Sequence, residues 1–237
     1  MSAPSSDELS KFIGSPVFDD FGRTLGTLIA VESNVDGKVV SITIKSEDLT
    51  LQTIEGERVK LNDGKVVITP EWKFELINVI DNLDRAYKRR KALDNIISNS
   101  DIPAIVTEPM KRSLEEEIKS LKLKADDVRK LVNSRLAEID DENLKVARAI
   151  ATVSISYFSG EINDKSYTQS MNHLRKLQSS LSEEKKAAKE LLEKLDKVMQ
   201  LAVESESKTS VVPQPQQAQA PASASQPQQA MVVKIEA

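Results

Sequence analysis

In the stretch Ser113-Leu-Glu-Glu-Glu-Ile-Lys-Ser-Leu-Lys-Leu-Lys-Ala125-Asp-Asp-Val-Arg-Lys-Leu-Val132-Asn-Ser-Arg135-Leu-Ala-Glu-Ile139, apolar residues recur at alternating spacings of four and three. They are Leu114, Ile118, Leu121, Ala125, Val128, Val132 and Ile139, with Arg135 the one polar member. On an α-helix such positions form a narrow stripe, which buries itself against another helix rather than against a broad core. The same rhythm precedes it in Leu76, Ile80, Leu83 and Tyr87, with Ile97 extending the face less regularly. It returns in Tyr167, Met171, Leu174, Gln178, Leu181, Lys185, Ala188, Leu192, Leu195 and Met199. From Trp72 to about Val203 the chain therefore reads as coiled-coil helices.

Prolines at Asp101-Ile-Pro103 and Glu108-Pro109 are expected to interrupt the first helix from the second, because proline lacks an amide donor and restricts its predecessor. Ile150–Phe158 is the densest apolar-aromatic stretch, and Ser159-Gly160-Glu-Ile-Asn-Asp164 breaks the helix after it. Asp164 is the expected N-cap of the last helix. Folding back at Gly160 pairs the second and third runs antiparallel. A pairing between subunits, or a monomeric bundle, satisfies the same spacing.

Upstream, residues 11–70 have a period of two. Apolar alternation in Leu25–Val31 and Val40–Ile44 is punctuated by Asp20-Phe-Gly22, Asp36-Gly37, Glu55-Gly56 and Asp63-Gly64. Asp-Gly between apolar runs signals a hairpin, because glycine takes a positive φ without steric cost. Six of the seven glycines lie here. A small β-barrel is expected, its core thin enough that the next segment must pack on it.

At the other end, Thr209–Ala230 has no charge and no glycine but four prolines and seven glutamines, the composition of an extended tether. Beyond it stands Met231-Val-Val-Lys-Ile-Glu-Ala237. Val232, Val233 and Ile235 favour extended backbone, and an isolated strand leaves its amides and carbonyls unpaired. Its natural use is to add to an exposed sheet edge of another molecule, with Met231, Val232, Val233, Lys234, Ile235 and Glu236 as the contact. An α+β multidomain chain follows: a disordered N-terminus (1–10), the barrel (11–70), a coiled coil (71–203), a Pro/Gln/Ala-rich linker (204–230) and a docking peptide (231–237).

Composition narrows the function classes. Thirty per cent of residues are charged, 4% are aromatic and the net charge is −4, so nothing global points to nucleic acid or an acidic membrane. Absent cysteine excludes disulfides and thiolate metal sites. There is no signal peptide or ~20-residue apolar span, and a cytoplasmic location is expected. His173 is the lone histidine, the carboxylates alternate with Lys and Arg, and no phosphate-cradling glycine loop occurs. A non-enzyme without cofactor or metal is expected. The one dense charge cluster is Arg85, Lys88, Arg89, Arg90 and Lys91. It is a candidate contact for DNA or acidic lipid, set against a solvated helix face balanced by Asp81, Asp84 and Asp94.

Phe12-Ile-Gly14, Val17, Asp20, Gly22-Arg-Thr-Leu-Gly26, Leu28 and the run Val39–Ile44 after Asp36-Gly37 resemble the PRC-barrel family. With the coiled coil, linker and terminal peptide, the whole chain resembles the CdvA family of archaeal cell-division proteins of the Cdv (ESCRT-like) system. That resemblance implies a filament-forming scaffold at the mid-cell division site, peripheral to the membrane. It also implies recruitment of the ESCRT-III-like CdvB, whose broken winged-helix domain Val232–Glu236 would complete. Membrane recruitment together with CdvB and DNA binding are further implied. A DNA-associated coiled-coil filament protein working through residues 85–91 is the competing expectation.

Overall fold

The computed structural model describes residues 4–99 and 102–209, with side chains to residue 200. A short helix α1 (Ser6–Ser10) precedes strands β1 (Pro16–Asp19), β2 (Thr24–Ser33), β3 (Val39–Lys45) and β4 (Leu51–Glu55). A 3-10 turn (Gly56–Arg58) leads to β5 (Val59–Asn62) and β6 (Lys65–Ile68), followed by helices α2 (Glu71–Asn99), α3 (Ala104–Phe158) and α4 (Asp164–Thr209).

The strands form one sheet in the order β4-β3-β2-β1-β6-β5, with β1 and β6 parallel and the other pairs antiparallel. Its edges, β4 and β5, are consecutive in sequence, so the sheet curls until they nearly meet. Among the described residues no ladder joins them, and the expected barrel is corrected to an open, strongly curled sheet. The 3-10 turn bridges the gap instead. At Gly56 the chain presses so closely over β3 that a Cβ would lie 2.3 Å from the Val39 carbonyl oxygen. The Asp63-Gly64 hairpin forms as its sequence demands, both residues taking positive φ, +49° and +69°.

Alternation buries Val17, Leu28, Ile42, Ile44, Val66 and Ile68 on the inner face of the sheet. Leu9 of α1 joins them with no exposed surface. The expected disordered N-terminus is therefore corrected from residue 4 onward. Ser5 and Glu8 form a reciprocal capping box, Ser5 pairs with Lys38, and the nucleated turn carries Leu9 into the core.

The helical seams meet within one chain. Trp72, Leu76, Val79 and Leu83 of α2 pack on Ala125, Val128 and Val132 of α3 and on Ala188 and Leu195 of α4. Further out only α3 and α4 continue, joined by Ile139, Val146 and Leu181. A three-helix bundle beside the sheet thus extends into a two-helix arm ending at Phe158–Asp164. At ~1.5 Å per residue, α3 alone spans about 80 Å.

Three boundaries differ from expectation. Pro109 lies inside α3 rather than ahead of it. It sits in the second turn, where its missing amide forfeits a single bond to the Ile105 carbonyl and Pro103 serves as the actual boundary. The cap of α4 is Asn163, whose Oδ1 accepts from the Ser166 amide at 2.9 Å, one residue ahead of the expected Asp164. Helix α4 continues to Thr209, past the expected end at 203. Residues 210–237, which include the rest of the expected linker and the expected docking peptide, lie outside the described residues.

Candidate functional site

Sheet and helices join at a buried carboxylate. Glu184 of α4 is 1% exposed, and four donors converge on its two oxygens. Trp72 Nε1 and Arg135 Nε donate to Oε1 at 3.1 and 2.9 Å; Arg135 Nη2 and Arg23 Nη1 reach Oε2 at 3.0 and 2.7 Å. This fills the acceptor capacity of a carboxylate. Each partner comes from a different element: α2, α3 and the loop after β1. Arg23 is held in turn by Asp19 at 2.6 Å, and Arg135 by Glu138 and Glu142 at 3.0 Å each. Burial by itself would raise the Glu184 pKa. The Arg135 and Arg23 guanidiniums outweigh that cost and hold the carboxyl below its ordinary value. The Arg135 guanidinium is stabilised in its charged form, chiefly by its bonds to Glu184.

The Asp20–Arg23 loop completes the junction. Phe21 stacks on Trp72 at 6.4 Å between centroids and 7° between planes, and its carbonyl accepts from Ser180 Oγ at 3.0 Å. Lys73 pairs with Asp20 at 2.7 Å. The cleft beside these groups is lined by Arg23, Arg58 and Arg135 against Asp19, Glu71 and Glu184, three cations facing three anions. It offers an anion no net attraction. Among the described residues no group of three His, Cys, Asp or Glu side chains could hold a metal ion.

The sequence named Asp20, Phe21 and Arg23 only as turn or family-pattern residues and Trp72 only as the start of the helical region; the one residue it singled out for its environment is Arg135, as the polar member of a seam. That was the available signal, because a guanidinium on a buried stripe requires a buried carboxylate. Lys185 occupied the matching position in the 4-3 pattern of α4. In the structure Glu184, one residue earlier, turns inward while Lys185 pairs with Asp140 across the seam. His173 is exposed on α4.

The cation cluster is partly neutralised. Lys88 pairs with Asp84 at 2.6 Å, and Arg90 lies inward beside Glu115 at 3.8 Å with its side chain 13% exposed. Arg85, Lys88 and Arg89 share one exposed face of α2, and Lys91 is exposed around the helix from them. Reversing Lys88, Arg89 and Arg90 to glutamate is expected to flatten the salt dependence of any DNA binding by roughly 0.9 in log–log slope for each phosphate that the strip had neutralised. An unchanged slope, measured by anisotropy titration over a salt series, would remove this strip as a DNA-binding surface. The expected docking peptide, Met231–Glu236, lies outside the described residues.

A family model described as the CdvA-like coiled-coil domain matches residues 71–218, spanning α2, α3 and α4. This chain belongs to the CdvA-like family. Cell division protein A of Sulfolobus acidocaldarius is 33% identical over 189 residues, covering 79% of each chain. No solved structure matches. The family match takes in the whole of the helical part, including Trp72, Arg135 and Glu184, and stops short of the terminal peptide.

Proposed function

We propose that this CdvA-like protein is a non-enzymatic, self-assembling scaffold of archaeal cell division. It recruits the ESCRT-III-like CdvB to the mid-cell division site, peripheral to the membrane, through its C-terminal peptide. The observation that carries this reading is the pairing of a long, rigid helical rod with a β-branched heptapeptide held at the end of an uncharged tether. Its membership of the family and its likeness to a protein named for cell division support the setting. No described helix is long and apolar enough to cross a membrane, so contact with the bilayer would be peripheral.

The tether acts through reach. Fully extended as polyproline II at ~3.1 Å per residue, residues 210–230 would reach roughly 65 Å. In the strand-addition mechanism, backbone hydrogen bonds supply affinity, and Val233 and Ile235 on one face supply selectivity. Each contributes roughly 1.5–3 kcal/mol on full burial, less the cost of ordering the segment. A single peptide then binds on the order of micromolar, and many tails on one assembly raise this by avidity.

The test is calorimetric titration of CdvB with the full chain, with a chain ending at Ala230, and with Val233→Pro. Truncation is expected to abolish binding. Val233→Pro is expected to weaken it by at least about tenfold, because proline removes a strand amide. Lys234→Ala and a scrambled tether should matter less. Equal affinity of wild type and Val233→Pro would rule out strand addition.

A further inference from the structure

We propose that the outer face of α3 in the two-helix arm is a self-docking surface, which takes the same face of a second copy of this chain antiparallel about a two-fold axis at Ala151. This rests on the self-assembly part of the proposed function and names a surface for it.

The inner face of this segment is already satisfied, since Val146 is buried in the hairpin core with Ile150 packed against it. A second apolar stripe runs along the opposite side. Leu144, Ile155 and Phe158 are 59%, 67% and 81% exposed, and Ala147 and Ala151 between them are exposed as well. At 100° per residue these five fall within an arc about 80° wide, and residues 144, 151, 155 and 158 fall on the beats of a coiled-coil seam whose remaining beat is Arg148, at the edge of the stripe. A helix apolar on two opposite faces has two partners, and the hairpin supplies one.

The pattern selects a copy of itself as the other. Antiparallel about Ala151, Leu144 meets Phe158, Ala147 meets Ile155, and Ala151 meets its own counterpart. The small residues at the centre allow close approach, while the large side chains fill the flanks. Arg148 borders the stripe on the Ile155 side and is exposed, so in this arrangement its guanidinium stays at the solvent edge of the interface. A parallel pairing in register would instead set alanine against alanine at both 147 and 151, with the large side chains stacked on their own copies, leaving a void between them. Phe158 carries roughly 150–250 Å², and with Leu144, Ile155 and the alanines the two copies bury on the order of 1,000 Å² in total. That is the lower threshold of a specific interface, suited to a concentration-dependent dimer.

Because the chain has no cysteine, single substitutions report the contact directly. Full-length Ala151→Cys is expected to form a covalent dimer on oxidation or with a short bis-maleimide, whereas His173→Cys, on the exposed surface of α4, is expected to remain monomeric on the gel. Leu144→Cys and Phe158→Cys should cross-link to each other when mixed and to a much smaller extent when treated alone. Ile155→Glu, at a position already two-thirds exposed, should keep the wild-type melting temperature and weaken dimerisation by at least about tenfold in sedimentation equilibrium. The proposal is overturned if Ala151→Cys cross-links no better than His173→Cys. If wild type still sediments as an oligomer in that case, assembly uses another surface and the scaffold reading stands. If it is monomeric at every concentration, the self-assembly reading falls too. Background cross-linking combined with loss of flotation on acidic phospholipid vesicles in Phe158→Glu would assign the face to the membrane, and that also overturns it.

Discussion

Replacing Glu184 with alanine is expected to destabilise the protein by roughly 3–5 kcal/mol, the usual cost of removing one member of a buried ion pair. Arg135 and Arg23 would keep their charges with no carboxylate between them, and Trp72 Nε1 would lose its acceptor. In a chain of this size such a loss lowers the melting temperature by on the order of 10 °C. Glu184→Gln should fall between, keeping the shape and an acceptor but not the charge. The double variant Glu184→Leu with Arg135→Leu should cost less than the sum of its singles, because paired charges removed together leave fewer uncompensated. Scanning calorimetry on these variants and both single leucine substitutions checks this. Additive effects would show that the two groups are not coupled. Acid should weaken the same junction. The folded pKa of Glu184 lies below its ordinary value, so the stabilisation is complete above the ordinary glutamate range and is lost as pH falls through the folded value. No loss from this group is expected between pH 5 and 8.

Leu195→Asp is expected to have a comparably large effect by a different route. Leu195 has no exposed surface and belongs to the cluster uniting α2, α3 and α4. The substitution forfeits roughly 1.5–3 kcal/mol of apolar burial and places an unpaired carboxylate in the core, for a total of several kcal/mol. The helical bundle should loosen while the sheet, whose cluster contains Leu9, Val17 and Ile42 and no helical-bundle residue, persists. Hydrogen exchange resolved by region would show amides of α2 and the second half of α4 losing protection ahead of β2 and β3. Leu121→Asp, at a half-buried position of the same cluster, should be milder. A Leu195→Asp protein that melts and exchanges like wild type would place this residue outside the core.

The two experiments probe features that were unequally visible in the sequence. Leu195 is one beat of a 4-3 rhythm, and its burial follows from helical geometry alone. Glu184 has no such signature. It stands among the charged residues Glu183-Glu-Lys-Lys186, where any one could face solvent. Only the presence of Arg135 49 positions away and of Trp72 112 positions away selects it. The capping box at Ser5 and Glu8 has a local signature, serine followed three residues later by glutamate, which the expectation of a disordered N-terminus passed over. Its consequence, Leu9 in the core, depended on a sheet already being there to receive it.

By itself, the sequence determined the local elements of this protein: the period-two strands with their Asp-Gly turns, the helical seams and the reversal at Gly160. These follow from backbone sterics and from the spacing of apolar side chains, both of which act over a few residues. Tertiary structure decided three other things. The seams are satisfied inside one chain, the sheet stays open at Gly56, and side chains from α2, α3, α4 and the loop after β1 close on one another at Glu184. Each of these depends on contacts between distant segments, whose geometry is set by how whole helices and a curled sheet pack, so no local pattern encodes them.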